Sequence, residues 1–161
     1  MEQRLWQTLS QTNEWVKYSD GKAVALLGIQ GVLIGLVVAL AKDFSTDVSL
    51  APAIFFITGT TCIVAAMFFT FLCLIPHLRG SGKTSPIFFK SVAINFKNPE
   101  EYSRYLRENF NSDENASEAL AEQIYANSKI ATIKFKWVAL STSLTLLGLV
   151  AWAIYLIIEF L

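Results

Sequence analysis

Charge is scarce in this sequence. Of 161 residues only 16% are Asp, Glu, Lys or Arg, and 53% are hydrophobic, where soluble domains carry roughly 25% charged residues. The formal net charge is zero, so no excess of Lys and Arg draws the chain to nucleic acid. There is one histidine, His77, and it has no acid or cysteine at catalytic or metal-ligand spacing. It reads as a headgroup contact or a helix-end residue rather than a general base. The two cysteines, Cys62 and Cys73, fall in one apolar segment. They are too far apart on a helix to join, so both are expected as buried thiols without metal spacing. The serines sit in caps, in turns and in "STSLT", with no nucleophile motif around them. No paired carboxylates stand out. These absences leave no catalytic residue, no metal site and no cofactor, and the chain reads as something other than an enzyme.

What is abundant is uninterrupted apolar sequence. Residues 23–41, 53–75 and 138–158 each run without a charge, and crossing a bilayer's hydrocarbon core takes about 20 such residues in a helix. A cleaved leader fits poorly, because Ala23 starts late, no basic region precedes it and two more spans follow. The expected fold is an all-α membrane protein of one domain, 1–161. It has three transmembrane helices, an N-terminal amphipathic helix over 1–22 and a small helical cytoplasmic segment over 77–135. Basic residues set the orientation. The N-terminal segment holds Arg4, Lys17 and Lys22, and the segment between spans two and three holds nine Lys and Arg from Arg79 to Lys136. The loop "KDFSTDVSLAP" holds only Lys42, beside Asp43 and Asp47. The N-terminus and the long middle segment are therefore expected in the cytoplasm.

Local signals organise the rest. Leu5, Trp6 and Leu9 lie at helical spacing, and Trp15 and Tyr18 suit the headgroup region where this helix runs into span one. Pro52 stands where a helix start tolerates proline, and Pro76 ends span two. Phe88, Phe89, Val92, Ala93 and Phe96 share one helical face, which suits either the inner membrane surface or packing on other cytoplasmic helices. "NPEEYSRYLRENF" predicts a helix capped by Asn98, with Pro99 first and Glu100 and Glu101 in the first turn. Ser112 is a candidate cap for the last helix. In it Leu120, Ile124, Asn127 and Ala131 recur at three- and four-residue steps, and no proline or glycine intervenes before span three. One helix over Asp113 to Phe160 is expected, about 70 Å long at 1.5 Å per residue.

Few residues carry candidate chemistry. "PHLRGSGKTSP" ends like a P-loop at Gly82, Lys83 and Thr84, but His77 stands where the first glycine belongs, no strand precedes it, and Pro86 follows. The backbone amides of Gly80 to Gly82, with Arg79 and Lys83, can still cradle a phosphate. Gly31 and Gly35, with Gly28 nearby, form a small-xxx-small pattern for close helix contact, and Gln30 can hydrogen-bond across helices. That contact fits packing within one chain or between copies. "TGTT" at 58–61 and "STSLT" at 141–145 offer more polar handles. The spans hold no deep charge, so a dedicated ion pathway lacks its usual signature, and three helices are too few to enclose a pore without further copies. Asp20 and Lys22, two apart, do not face each other. An acid near an anionic membrane surface is disfavoured, so Asp20 calls for a partner. Lys134 or Lys136 on the third span's approach lies at the matching depth.

"YSDGKAVALLGIQGVLIGL" resembles the Asp-x-Lys-Ala entry into the first membrane helix of the Pycsar effector transmembrane family. The order of "LIPHLRG", "SPIFFKSVA", "PEEYSRYL" and "LAEQIYANSKIATIKFKWV" is similar too, over nearly the whole chain. In that family a cyclase answers phage with a cyclic pyrimidine mononucleotide, and the effector senses it and impairs the inner membrane. The resemblance implies that role here: a multi-pass protein of the bacterial inner membrane, N-terminus cytoplasmic. Its partners would be cyclic CMP or cyclic UMP and membrane lipids, with homo-oligomers expected and nucleic acid not. Asp20 and Lys22 match the entry motif. A cyclic mononucleotide has one negative charge and a flat base, which calls for Lys or Arg and for an aromatic or amide group. Arg79, Lys83, Tyr125, Asn127 and Lys134 are candidates on those grounds. The rival expectations are a membrane-anchored interaction module without a small ligand, and a channel subunit.

Overall fold

A computed structural model describes residues 2–41, 50–76, 87–109 and 113–160. Five helices hold nearly all of them: α1 (Glu2–Ala41), α2 (Leu50–Leu74), α3 (Phe89–Asn95), α4 (Pro99–Asn109) and α5 (Asp113–Phe160). No strand occurs among the described residues. Three of the helices, α1, α2 and α5, are long and apolar enough to cross a membrane. The protein is an all-α membrane protein. The expected continuity holds at both ends: α1 runs unbroken into the first span, and α5 is one helix of 48 residues, about 72 Å long. Pro52 lies in the first turn of α2, where a missing N–H costs nothing, and α2 stops two residues before Pro76. Ser112, His77 and the "RGSGKTSP" turn, with Arg79 and Lys83, lie outside the described residues.

By its packing the chain divides into two compact units: Met1–Tyr18 with Pro76–Thr132, and Ser19–Ile75 with Ile133–Leu161. In the first unit, α1 buries Leu9 and Thr12 and α5 buries Leu120 and Ala131. Leu9, Leu120 and Ala131 are members of the three- and four-residue ladders that the sequence displays; Thr12 is not among them. Asn127 donates to Asn13 at 2.7 Å and accepts from Gln123 at 3.0 Å. Asn98 caps α4 as expected: its Oδ1 accepts the Glu101 N–H at 2.8 Å, while Glu101 Oε2 accepts the Lys97 N–H at 2.9 Å. The first bond satisfies a donor that a bare helix start leaves open, and the second ties the residue before the cap to the first turn. Helix α3 is shorter than the expected face. Phe88 and Phe96 are its extended caps, and the Phe96 ring packs on Tyr102 and Tyr105 of α4, with centroids 5.1 and 5.0 Å away. For Phe96, packing on a neighbouring helix is the outcome.

In the second unit the three spans share a regular seam. The packed positions are 19, 23, 26 and 30 on α1, 52, 56, 59, 63, 66, 70 and 73 on α2, and 134, 138, 141, 145, 148, 152 and 155 on α5. Steps of three and four in alternation make a heptad repeat, the signature of left-handed knobs-into-holes packing. Large apolar side chains such as Val32, Phe68, Leu146 and Val150 face outward instead. In hydrocarbon no hydrophobic effect separates inside from outside, so small and polar residues define the contact face. Where α2 meets α5, Gly59 and Gly148 oppose each other. A Cβ on Gly59 would stand 3.0 Å from the Gly148 carbonyl oxygen and 2.2 Å from Trp152 Cδ1.

The glycines that the sequence singles out behave differently. A Cβ on Gly28, Gly31 or Gly35 would meet nothing within 4 Å, so close packing within one chain does not occur at them. They fall on the side of α1 turned away from Ala23 and Gln30. Cys73 is fully buried, but Cys62 is only half-buried, because it stands one position off the α2 seam.

Candidate functional site

Lys134 is the centre of the candidate site. It occupies a seam position of α5, 4% exposed, where an unpaired ammonium would be untenable. Two partners hold it. The Asp20 carboxylate on α1 forms an ion pair with Nζ, and the Cys73 carbonyl at the end of α2 accepts a hydrogen bond at 2.9 Å. The second contact follows from helix geometry. The last four carbonyls of a helix have no partner within it and carry the negative end of its dipole, so a cation is favoured there. Thus one ammonium ties the entry turn of α1 and the last turn of α2 to α5. The Cys73 thiol points to the Ser19 carbonyl at 4.0 Å, a long and weak contact. One turn deeper Ala23, Cys73 and Val138 form an apolar cluster, with Leu26, Leu74 and Trp137 against it. These apolar side chains close the site on one side, while the Asp20 side chain is 39% exposed.

Lys22 stands off this seam. It lines a groove of about 600 Å³ between α1 and α5, with Ile29, Phe135, Ala139 and Thr142 among its walls. The groove is apolar apart from the lysine and one threonine, whose hydroxyl already donates to the Val138 carbonyl at 2.8 Å. Lys136, the alternative partner for Asp20, is exposed. In the first unit Tyr125 is exposed and carries Lys129 Nζ 4.9 Å from its ring centroid. Asn127 is committed to Asn13 and Gln123. Of the expected ligand residues, then, the structure brings Asp20 and Lys134 together. Lys22 stands apart on a groove, and Tyr125 and Asn127 belong to the other unit. Among the described residues no group of three or more His, Cys, Asp or Glu gathers at metal-binding distance.

A second polar layer lies deeper in the same seam. Gln30 on α1 is fully buried, and its amide nitrogen donates to Ser141 and Thr145 of α5, each at 2.9 Å. Its Oε1 accepts from Thr70 of α2 at 3.0 Å. Ser141 donates to the Ala66 carbonyl at 2.9 Å, and Thr145 to the Ser141 carbonyl at 2.9 Å. Gln30 thus uses both donors and its acceptor across helices, as the sequence suggested for it. Thr70 was not legible in advance. It stands alone among phenylalanines, and only its place in the heptad, four after Ala66 and three before Cys73, marks it. Of the "TGTT" handles, Thr60 and Thr61 bond back to the Phe56 and Ile57 carbonyls of their own helix, both at 2.8 Å.

A family profile described as "Pycsar effector protein domain" matches residues 4–159. The chain is 31% identical over 154 residues to the Pycsar effector protein PtPycTM of Propioniciclava tarda, covering 92% of this chain and 75% of that one. No solved structure matches.

Proposed function

This chain belongs to the Pycsar effector family, a family of membrane effectors in antiphage defence, and on that premise we propose that it senses a cyclic pyrimidine mononucleotide and then impairs the membrane that holds it. The membrane is the bacterial inner membrane, with the N-terminus in the cytoplasm. The observation that carries this reading is the buried Lys134 held by a partly exposed carboxylate. A cyclic mononucleotide offers one phosphate anion, which competes with Asp20 for the ammonium and leaves Asp20 to water. A ligand drives a rearrangement only through its preference for one state, and the preference here is for the state in which Lys134 has let go of Asp20. Releasing Lys134 frees the Cys73 carbonyl as well, so one anion loosens the contacts of three spans together. Lys22 adds a second cation on the same stretch of α1. Homo-oligomers fit this mode of action, since three helices are too few to surround a pore. The open glycine face of Gly28, Gly31 and Gly35 allows another helix to approach closely.

The test is a thermal-shift titration of the detergent-purified chain with cyclic CMP, UMP, AMP and GMP. A ligand at a hundred times its Kd stabilises the state it binds by about 2.7 kcal/mol. A shift with one cyclic pyrimidine, lost on Lys134→Met and weakened on Lys22→Ala, is the expected result. The same titration on Arg79→Ala, Lys83→Ala, Tyr125→Ala and Asn127→Ala assigns or discharges the other expected ligand residues. No shift with any of the four nucleotides, from folded protein, overturns the sensing role and leaves an interaction module as the reading.

A further inference from the structure

The seam between the three spans is polar as well as closely packed. Along α5 the buried seam positions include Lys134, Ser141, Thr145, Trp152 and Tyr155, interleaved with Val138 and Gly148. Lys134 to Trp152 spans about 27 Å of helix, close to the roughly 30 Å of a hydrocarbon core. Gln30 and Thr70 face the same seam from α1 and α2. The outward faces of these helices at the same depth carry Val32, Phe68, Leu146 and Val150. Interhelical hydrogen bonds in hydrocarbon add little to stability, because the separated helices find other partners. An apolar seam of equal volume would hold the closed bundle as well.

Trp152 sharpens the point. Its indole Nε1 is the one buried side-chain nitrogen or oxygen without a hydrogen-bond partner among the described residues. The ring is pressed over Gly59, so the closed bundle buries an N–H that it does not use. Unmet buried donors are rare in native structures and call for an explanation. A state in which water reaches the seam satisfies that N–H, together with the hydroxyls of Thr70, Ser141 and Thr145 and the Gln30 amide.

We propose that this seam is the water path of the open state: when the spans part, Lys134, Ser141, Thr145 and Trp152 of α5, with Gln30 and Thr70, turn to line an aqueous lesion shared by several copies. The inference rests on the membrane-impairing role proposed above. The closed state keeps Gln30, Thr70, Ser141 and Thr145 bonded to one another across the seam and Lys134 bonded to Asp20 and the Cys73 carbonyl. The Ala23, Cys73 and Val138 cluster between the two polar layers is a dry plug, of the kind that blocks water by dewetting. Release of Lys134 from Asp20 loosens the helices on either side of that plug.

The test uses the full chain in liposomes loaded with a self-quenched anionic dye, triggered with cyclic CMP or cyclic UMP. The variant Gln30→Leu, Thr70→Val, Ser141→Ala and Thr145→Val removes the deep polar layer at nearly constant volume. It is expected to release dye at least tenfold more slowly than wild type while keeping the nucleotide-induced thermal shift. Release at the wild-type rate overturns the proposal. A second readout covers a variant that fails to fold. Single cysteines replace Thr145 or the lipid-facing Leu146 in a Cys62→Ala, Cys73→Ala background and are probed with a charged methanethiosulfonate. Position 145 should react only after triggering and position 146 should not react; equal silence at 145 in leaking vesicles overturns the water path. Wild-type vesicles that release no dye with either nucleotide sink the membrane-impairing role and the path with it. Wild-type release with an equally leaky apolar variant sinks the path alone.

Discussion

The Asp20–Lys134 pair makes a sharp energetic prediction. Changing Asp20 to Asn removes the counter-charge and leaves the ammonium in place with the Cys73 carbonyl as its remaining acceptor. Breaking a fully buried pair from one side costs about 3–5 kcal/mol. Here the lysine end is buried but the Asp20 side chain is 39% exposed, so solvent softens the loss to about 2 kcal/mol. For a chain of this length that corresponds to a fall of about 4–8 °C in unfolding temperature. Lys134→Met alone leaves Asp20 able to turn to water and removes the cation from the α2 terminus, for about 1 kcal/mol. The double variant Asp20→Asn, Lys134→Met buries no lone charge and should sit near the Lys134→Met single, well above Asp20→Asn. The assay is thermal unfolding of all four proteins in one detergent, analysed as a double-mutant cycle. Two results refute the reasoning: Asp20→Asn unfolding within about 1 °C of wild type, or a double variant whose loss equals the sum of the singles.

Three other expectations follow from the same contacts. Gln30→Leu should cost no more than about 2 kcal/mol, because Ser141, Thr145 and Thr70 keep hydrogen bonds to backbone carbonyls; a larger loss in detergent unfolding contradicts that assignment. Gly59→Ala forces Trp152 aside and should destabilise by about 1–3 kcal/mol, whereas Gly31→Ala, with open space around it, should leave the purified chain unchanged in the same assay. Asn98→Ala removes the α4 cap and should cost about 1 kcal/mol, visible as faster amide exchange in the first turn of α4 and nowhere in the spans.

The sequence by itself determined which segments are long and apolar enough to cross a membrane and where α4 begins. Crossing hydrocarbon demands that every backbone group be satisfied within the segment and that side chains be apolar, and both requirements are local. The continuity of α5 was legible for the same reason, since nothing in "AEQIYANSKIATIKFKWV" interrupts a helix. Asn98 as a cap was legible from four residues. Asp20 needed a partner, and depth alone narrowed it to Lys134 or Lys136. Choosing between them took the tertiary structure, because the two lysines are two positions apart on one helix and the rotation of α5 against α1 decides which one faces in. The same rotation seats Gln30 between Ser141, Thr145 and Thr70. It also passes over Gly28, Gly31 and Gly35 in favour of Gly59 and Gly148. In water an apolar stripe would have revealed the packed faces in advance. In a bilayer lipid solvates the outward faces as well as protein does, so hydrophobicity is silent about register, and only the way small and polar residues meet across the seam decides it.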